Sequence, residues 1–442
     1  MAPASSPPRA FALSDKVKDE VHKQDVWTVF SPASGYVPED SINLGQGFMN
    51  WAPPEYIQEA AKKSIEAIET NHYSIPKGRI RLRQAISKHY CEWISISFGL
   101  SSPSFKRTIN PDTEIVVTSG ANEGIYAFEL AFLRDGDEVI LFEPFFDQYI
   151  CNTTFNGGVP VYVPLHPPAH SKHTSVKASE WKIDFDEVRA AITPKTKAIF
   201  VNTPHNPIGK VFDTEELLKI GKIAEEFNLI ILADEVYDAL VFNKEHIRIA
   251  ALGNLWERTI TIGSAGKSFS ATGWRVGWAI GPQHLVQPTL AATTRIVFCT
   301  NSPLQEAVAV GLEKAPEHKF FEQQTAEYLE RRKVFTAALD KVGLPYTMPD
   351  GSYFVLVDNS SIQIPDDFVI PDIVNQGRPR DWIVSWFIVQ TAGVVCIPPS
   401  DFYSPKHIPI GEQFSRFAFC KDIDTIRAAG ERLLALKPYI KK

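Results

Sequence analysis

The chain has 442 residues, two to three times the usual length of one domain, and its 44% hydrophobic and 22% charged residues are typical of a protein with packed cores. With 45 Lys and Arg against 52 Asp and Glu it lacks the basic surface that nucleic acid requires, and it has no run of about 18 apolar residues that would predict a membrane span. The five cysteines form no CxxC pair, so the sequence indicates neither a disulfide framework nor a metal site such as zinc. We therefore expect a cytoplasmic protein, with a mitochondrial fraction as the alternative.

From residue 112 onward, short β-branched segments alternate with segments of helical periodicity, which is typical of an α/β fold. Helices such as Ala121–Leu133 and Asp213–Phe227 fit between the strands as crossovers. Most strands are apolar on both faces, as buried parallel strands are. Only about a dozen residues separate the last two strands, too few for a parallel crossover, so we expect that pair to be antiparallel. The predicted strands are Glu114–Thr118, Glu138–Phe142, Ala198–Asn202, Leu229–Ala233, Thr259–Gly263 and Val276–Gly281.

The C-terminal third has a different pattern, in which helical periodicity over residues 304–341 precedes a strand at Ser352–Val357, an amphipathic segment at Trp382–Thr391 and a strand at Arg416–Phe419. The segment Pro164–Glu180, rich in Pro and His, is predicted as a loop. We therefore predict an α/β protein with a mostly parallel central sheet in a large domain and a smaller α+β domain. The expected boundaries are 1–55 for an N-terminal arm that joins the small domain, 56–315 for the large domain and 316–442 for the small domain.

Polar residues follow several predicted strands, at the ends where ligands bind in open α/β sheets. The segment Thr118–Asn122 closes a strand and opens a helix, so its backbone N–H groups and the helix dipole point to one place. A phosphate would fit there, although an ordinary strand-to-helix turn explains the segment equally well.

Two further strand ends carry polar side chains. In Asn202–Pro207, two prolines fix an extended turn that presents Asn206 rigidly to a ligand, with a tight surface turn as the alternative. Asp234 and Glu235 directly follow an apolar strand. Because a carboxylate beside such a strand needs a partner or a task, we predict a functional role for Asp234 rather than that of a paired core acid.

The segment Ser264–Gly277 carries the strongest signal. Lys267 lies three residues after a strand-end serine, among small residues, and Arg275 follows eight residues later. An amine in a partly desolvated site is held near neutrality and acts as a nucleophile. The alternative, a solvated loop lysine, explains neither the small neighbours nor the strands on both sides.

Nine distinctive segments follow one another along the chain: NLGQGF, YSIPKGRIRLR, SGANEG, EPFFDQY, NTPHNPIGKVF, DEVY, SAGKSFSATGWRVGW, GSYF and RFAFCKD. In this order they resemble the segments of the fold-type I aminotransferases of class I and II, specifically the kynurenine aminotransferase branch. The resemblance extends from about Asn43 to Lys421, and nine such segments in order do not arise by chance.

The resemblance implies an enzyme that uses pyridoxal 5′-phosphate (PLP). Lys267 would form a Schiff base with the cofactor and, once displaced by substrate, would carry the proton from the substrate Cα as base and acid. Asp234 would keep the pyridine nitrogen protonated, which makes the ring an electron sink. Asn206 and Tyr237 would bind the phenolic oxygen, and Phe146 would stack on the ring.

The resemblance also implies a homodimer, because one phosphate contact is expected from a second subunit. The phosphate ligands would be Ser264, Arg275, the backbone amides of Gly120, Ala121 and Asn122, and Tyr73 of the other subunit.

The substrate site would contain Arg416, whose two parallel N–H groups suit an α-carboxylate. A surface arginine is the alternative, but a bare charge between apolar residues usually has a partner. Gly47 and Trp27 would line the same site together with Asn206.

Two positions depart from the family pattern. Many relatives have a tyrosine where this chain has Asn122, and some have a histidine in the substrate pocket where it has Asn301. Both changes leave the chemistry intact and bear on the identity of the substrate. The expected pocket aromatics are Trp27, Trp51, Phe146 and Tyr149, although such residues also occur simply as core.

We therefore expect a homodimeric PLP-dependent aminotransferase that acts on small molecules, with L-kynurenine or another aromatic amino acid as donor and a 2-oxo acid such as 2-oxoglutarate as acceptor. On the same fold, a cysteine S-conjugate β-lyase or an aminotransferase of another amino acid is the alternative, and aminocyclopropane-carboxylate synthase is a more distant one. A non-catalytic PLP-binding regulator would need a basic DNA-binding extension, and only about 40 residues precede the matching region.

Overall fold

The computed structural model describes residues 13–441 except 19, 22, 32–33, 92–104 and 243. Its strands are β1 (Ile42–Asn43), β2 (Ile115–Thr118), β3 (Glu138–Glu143), β4 (Val159–His166), β5 (Val176–Lys177), β6 (Lys182–Ile183), β7 (Thr196–Asn202), β8 (Ile230–Asp234), β9 (Thr259–Ser264), β10 (Gly277–Ile280), β11 (Tyr346–Met348), β12 (Phe354–Asp358), β13 (Val394–Val395) and β14 (Phe414–Ala418). Its helices are α1 (Val26–Val29), α2 (Glu55–Glu66), α3 (Ile80–Cys91), α4 (Ala121–Phe132), α5 (Gln148–Phe155), α6 (Phe185–Ala190), α7 (Thr214–Glu226), α8 (Ala265–Ser268), α9 (Gln283–Ile296), α10 (Ser302–Lys314), α11 (Phe320–Val342), α12 (Asp372–Asn375), α13 (Arg380–Ala392), α14 (Ile408–Gly411) and α15 (Ile423–Leu433).

Within the described residues, eight strands form the central sheet in the order β2-β10-β9-β8-β7-β3-β4-β6. The strands from β9 to β4 are parallel to one another, whereas β10 is antiparallel to both of its neighbours and β6 is antiparallel to β4. The mostly parallel sheet is confirmed, and so is the antiparallel pairing of the last two predicted strands.

The sheet is buried on both faces, which explains why its strands read as continuous apolar runs. On β3, Val139 and Leu141 belong to one hydrophobic core, whereas Ile140 and Phe142 belong to another. Alternation of this kind places successive side chains on opposite faces of the sheet.

The strand β4 was not predicted from the sequence, because it contains two prolines. Pro160 and Pro164 lie inside it, and proline cannot donate to a strand ladder, so the sequence there favours a loop. In the structure β4 still pairs with the whole of β3 through residues 159–164, and β5 lies within the segment Pro164–Glu180 that was predicted as a loop.

A second sheet has the order β14-β12-β11-β5, in which β5 is parallel to β11 and the other pairs are antiparallel. β1, from the N-terminal segment, pairs with β13, so the beginning of the described chain packs beside its C-terminal third. The division at residues 55 and 315 stays a prediction. None of the helices in the described ranges combines the length and the apolar character needed to cross a bilayer.

Candidate active site

The register of the central sheet brings the predicted motifs to one edge. Asn202, at the end of β7, lies beside Asp234, at the end of β8, and Gly277, at the start of β10, lies opposite Ser264. Because β10 is antiparallel, its beginning meets the carboxyl ends of the parallel strands, which is where α/β proteins bind ligands. The reversed strand therefore delivers Arg275, two residues before it, to the same edge.

A cavity of about 200 Å³ opens at this edge. It is assembled from the N-terminal segment, the central sheet and β14, so three parts of the chain meet there. Among the predicted site residues, Tyr73 lies outside the cavity and Gly120 lies next to it. The other twelve line it: Trp27, Gly47, Ala121, Asn122, Phe146, Asn206, Asp234, Tyr237, Ser264, Lys267, Arg275 and Arg416.

Lys267 lies in α8, the single helical turn after β9, and extends into the cavity. Its Nζ donates to the hydroxyl oxygen of Tyr353 at 2.9 Å and to the carbonyl oxygen of Gly47 at 3.3 Å. Burial lowers the pKa of this amine to about 8, because the charged form loses its hydration. A substantial neutral fraction is therefore present near physiological pH, as a nucleophile or base requires.

Asp234 is a buried carboxylate that is held in one orientation. Its Oδ2 accepts a hydrogen bond from the hydroxyl of Tyr149, and its Oδ1 accepts one from the backbone N–H of Val236 at 3.4 Å. Burial raises the pKa of this carboxyl to about 6, and the positive charge of Lys267 acts in the opposite direction. A cation placed against it would keep it ionised.

Asn202 positions the predicted ligand Asn206. Its Oδ1 accepts from the backbone N–H of Asn206 at 2.7 Å, and its Nδ2 donates to the carbonyl oxygen of Asp234 at 3.0 Å. The turn after β7 is therefore tied to the end of β8, which keeps Asn206 beside the cavity.

Arg416 is a buried guanidinium that makes no ion pair with an acidic side chain within the described part of the chain. Nη1 donates to Asn206 Oδ1 at 3.3 Å and Nη2 donates to the carbonyl oxygen of Gly45 at 2.7 Å, whereas Nε is left without a partner there. The rings of Phe354 and Trp27 lie 4.6 and 5.4 Å from the guanidinium carbon. Burial lowers its pKa to about 10. A buried cation held mainly by neutral acceptors attracts an anion such as a carboxylate.

The start of α4 and Arg275 form a cradle for an anion. Gly120 has φ of 86° and precedes α4 without a side-chain cap, so N–H groups of the first turn remain available. Arg275 has the left-handed φ of 53°, a conformation that costs a non-glycine residue energy and that occurs often at functional sites. A Cβ at position 120 would collide with the guanidinium of Arg275. Glycine at this position therefore allows the guanidinium to lie against the start of α4.

Three residues discussed from the sequence lie outside this cavity. Tyr73 is 85% exposed and packs edge-on against Phe298, with ring centroids 5.2 Å apart. Asn301 is the N-cap of α10. Trp51 was expected in the pocket wall, but its ring lies 4.4 Å from the guanidinium of Arg331 instead, so this expectation was wrong.

The sequence did not single out several residues that shape the site. Tyr149 was expected only as an aromatic wall, yet its hydroxyl binds Asp234, and Tyr353, which binds Lys267, was noted only as part of the segment GSYF. The strand-end position of Asn202 could have revealed its role, because polar residues gather at that edge. The additional lining residues are Ile125, Tyr149, Asn202, Val236 and Phe354.

Comparison with known proteins gives consistent matches over most of the chain. Residues 39–433 match the family model described as aminotransferase class I and II. The chain is 43% identical over 427 residues to the probable kynurenine–oxoglutarate transaminase of Saccharomyces cerevisiae, covering 94% of this chain and 93% of that protein. It is 40% identical to the kynurenine–oxoglutarate transaminase of Dictyostelium discoideum, with 93% and 94% covered. The crystal structure of Bna3p from Saccharomyces cerevisiae matches with a TM-score of 0.91 and 41% identity, covering 97% of this chain and 100% of that one.

Proposed function

Because the chain belongs to the class I and II aminotransferases, we propose that this enzyme transfers the amino group of L-kynurenine or another aromatic amino acid to a 2-oxo acid such as 2-oxoglutarate. Relatives named kynurenine–oxoglutarate transaminase support this pair of substrates. The observation that carries the proposal is one cavity that contains an amine of lowered pKa, a buried carboxylate and a buried guanidinium bound only by neutral groups.

The residues around the cavity fit PLP as the cofactor. The cradle formed by α4 and Arg275 leaves space for a phosphate, since no Cβ projects from position 120. Asp234 would face the pyridine nitrogen, Asn206 and Tyr237 would bind the phenolic oxygen, and Phe146 would stack on the ring. The cofactor, when bound, supplies an electron sink for the charge that develops at the substrate Cα.

Lys267 would move the proton at the substrate Cα. Its pKa of about 8 lets Nζ take up a proton and release it again near neutral pH. Asp234, fixed by Tyr149 and Val236, would hold the proton on the pyridine nitrogen, because a carboxylate at hydrogen-bond distance favours the protonated ring.

Arg416 would bind the α-carboxylate of each substrate and fix its orientation. The donor side chain would lie among the rings of Trp27, Phe146 and Phe354, which line the cavity and suit an aromatic group. Asn122, where many relatives have a tyrosine, accepts a hydrogen bond from Asn152 at 2.9 Å and leaves one ring fewer in the wall.

A panel of amino donors tests the proposed substrate. With 2-oxoglutarate as acceptor, we expect kcat/KM for L-kynurenine and L-phenylalanine to exceed that for L-alanine and L-aspartate by about tenfold or more, since even one methylene in an apolar pocket is worth about 1–3 kcal/mol. Release of pyruvate from a cysteine S-conjugate in the same series measures β-elimination. A preference for the aliphatic or dicarboxylic donor would contradict the aromatic assignment.

We propose that the enzyme is a homodimer that uses an exposed apolar patch. Ile68 is 76% exposed, and it lies close in the chain to Tyr73, which packs on the half-exposed Phe298. Ser119, next to the anion cradle, lies near Thr300, with 3.5 Å between the hydroxyl oxygens, so the patch adjoins the cradle. A second copy covering this patch would bury these side chains and bring its Tyr73 towards the phosphate site.

Ile68→Asp tests this surface. We expect light scattering to give twice the chain mass for the wild type, and we expect the variant to raise the dimer Kd by about 10²-fold, since it removes an apolar contact and buries a charge. Val369→Asp is the matched control, because Val369 is 83% exposed and lies far along the chain from the patch. A monomeric wild type, or equal effects of both variants, would refute this interface.

A further inference from the structure

Tyr353 lies directly before β12 and is fully buried beside Lys267. Its hydroxyl oxygen is 2.9 Å from Lys267 Nζ and 2.8 Å from the carbonyl oxygen of Gly47. The carbonyl of Gly47 is also 3.3 Å from Nζ, so the amine, the phenol and the carbonyl form a closed triangle.

The directions of these hydrogen bonds follow from their chemistry. In the structure Tyr353 donates its single hydroxyl hydrogen to the carbonyl oxygen of Gly47, and its phenol oxygen accepts from Lys267 Nζ. Burial raises the pKa of Tyr353 well above its usual range, which keeps the phenol protonated. A neutral amine has two hydrogens, and Lys267 donates one to the Tyr353 oxygen and one to the Gly47 carbonyl oxygen. Its lone pair then points away from both acceptors.

We infer that Tyr353, together with the Gly47 carbonyl, is a positioning residue that directs the lone pair of Lys267 towards the substrate Cα whenever the amine is free. This inference rests on the proposed function, in which Lys267 moves the proton at that carbon. It assigns to Tyr353 an orienting task and no proton transfer of its own.

The carbonyl of Gly47 is itself held in place by its loop. Arg416 donates to the carbonyl oxygen of Gly45 at 2.7 Å, and the buried Lys421 donates to that of Gln46 at 3.3 Å and also to that of Phe48. Three neighbours of position 47 in this loop, on both sides of it, therefore have fixed carbonyl groups, and the Gly47 oxygen stays directed at Tyr353 and Nζ.

The absence of a side chain at position 47 is what allows the triangle to form. A Cβ there would lie 2.9 Å from Tyr353 Cε2, closer than Cβ atoms approach in proteins, and 3.1 Å from its hydroxyl oxygen, so the ring would have to move. The backbone of Tyr353 is anchored separately, because its carbonyl accepts from the N–H of Phe419 at 2.9 Å. The backbone therefore cannot shift away from position 47 without breaking this hydrogen bond.

Tyr353→Phe tests the inference, with a readout in the cofactor-free protein. Acetic anhydride is attacked by the neutral amine and not by the ammonium form. The rate at which Lys267 is acetylated as pH is varied, followed by mass spectrometry of its peptide, therefore reports the pKa of Nζ. Loss of the phenol oxygen removes an acceptor that favours the ammonium form, so we expect the labelling midpoint to fall by about half a pH unit or more. In the loaded enzyme we expect kcat to fall about tenfold with little change in donor KM, and a larger isotope effect with α-deuterated donor.

Tyr328→Phe is the matched control. Its ring stacks on Tyr353 with centroids 6.1 Å apart, but its hydroxyl has no hydrogen-bond partner among the described residues, so neither the midpoint nor kcat should change. Gly47→Ala displaces Tyr353 by a second route and should shift the midpoint in the same direction. An unchanged midpoint in Tyr353→Phe would overturn the inference whatever its effect on kcat. Absence of turnover in the wild type would instead refute the proposed function, because the labelling needs no cofactor.

Discussion

Replacement of Lys267 by alanine is expected to lower kcat for transamination by about 10⁴-fold or more while the protein still folds. The variant loses both the nucleophile for the cofactor and the group that moves the proton at Cα, and proton transfer by one positioned side chain alone supplies about 10²–10⁴-fold. The fold should survive, since Lys267 donates two hydrogen bonds within the described part of the chain and burial already disfavours its charged form. Single-turnover kinetics and a thermal melt measure the two effects.

Lys267→Arg is the matched control, because it keeps the positive charge at nearly the same position. A guanidinium does not release its proton near neutral pH, so we expect this variant to be as inactive as the alanine variant. Added ethylamine should partly restore proton transfer in Lys267→Ala, where the truncated side chain leaves room, and not in Lys267→Arg. A kcat above about a hundredth of the wild-type value in either variant would rule out this lysine.

Arg416→Ala is expected to reduce kcat/KM for the amino donor by about 10²-fold, mainly through KM. The loss of a buried charge-assisted pair with the substrate carboxylate is worth about 3 kcal/mol, and each 1.36 kcal/mol is a factor of ten. Because the guanidinium makes no ion pair with an acidic side chain in the described ranges, the substrate carboxylate is its natural counter-ion.

Two further arginine variants distinguish binding from general damage. Arg416→Lys keeps the charge but cannot form two parallel N–H bonds, so its KM should lie between those of the wild type and Arg416→Ala. Arg331→Ala removes a nearby guanidinium that packs on Trp51 and does not line the cavity, and it should leave the donor KM unchanged. An unaltered KM in Arg416→Ala would contradict the role of the carboxylate clamp.

The strands of the central sheet were predictable because their apolar character is local. The predicted Thr259–Gly263 and Ala198–Asn202 differ from β9 and β7 by no more than two residues at either end. β4 was missed, since its prolines oppose a strand locally and only pairing with β3 overrides them. The sequence pattern therefore succeeds where local preference and burial agree.

For the candidate site, the polar residues that follow strands were predictable, whereas their partners were not. Asp234 and Lys267 stand out by position, but nothing near them in the chain indicates the hydroxyls of Tyr149 and Tyr353. From the sequence, these two tyrosines could equally be core residues, because the hydrogen-bond partner of a buried phenol is set only when the chain packs.

Residue type and short spacing by themselves determined the family, the α/β class and the amine, carboxylate and guanidinium that the cavity contains. Only the tertiary structure decided how these groups are oriented. Lys267 meets Gly47 across 220 residues of chain, and Arg416 meets Gly45 across 371. Contacts at such separation depend on how the sheets and the N-terminal segment pack together, and that packing sets which lone pair, hydrogen or charge faces the substrate.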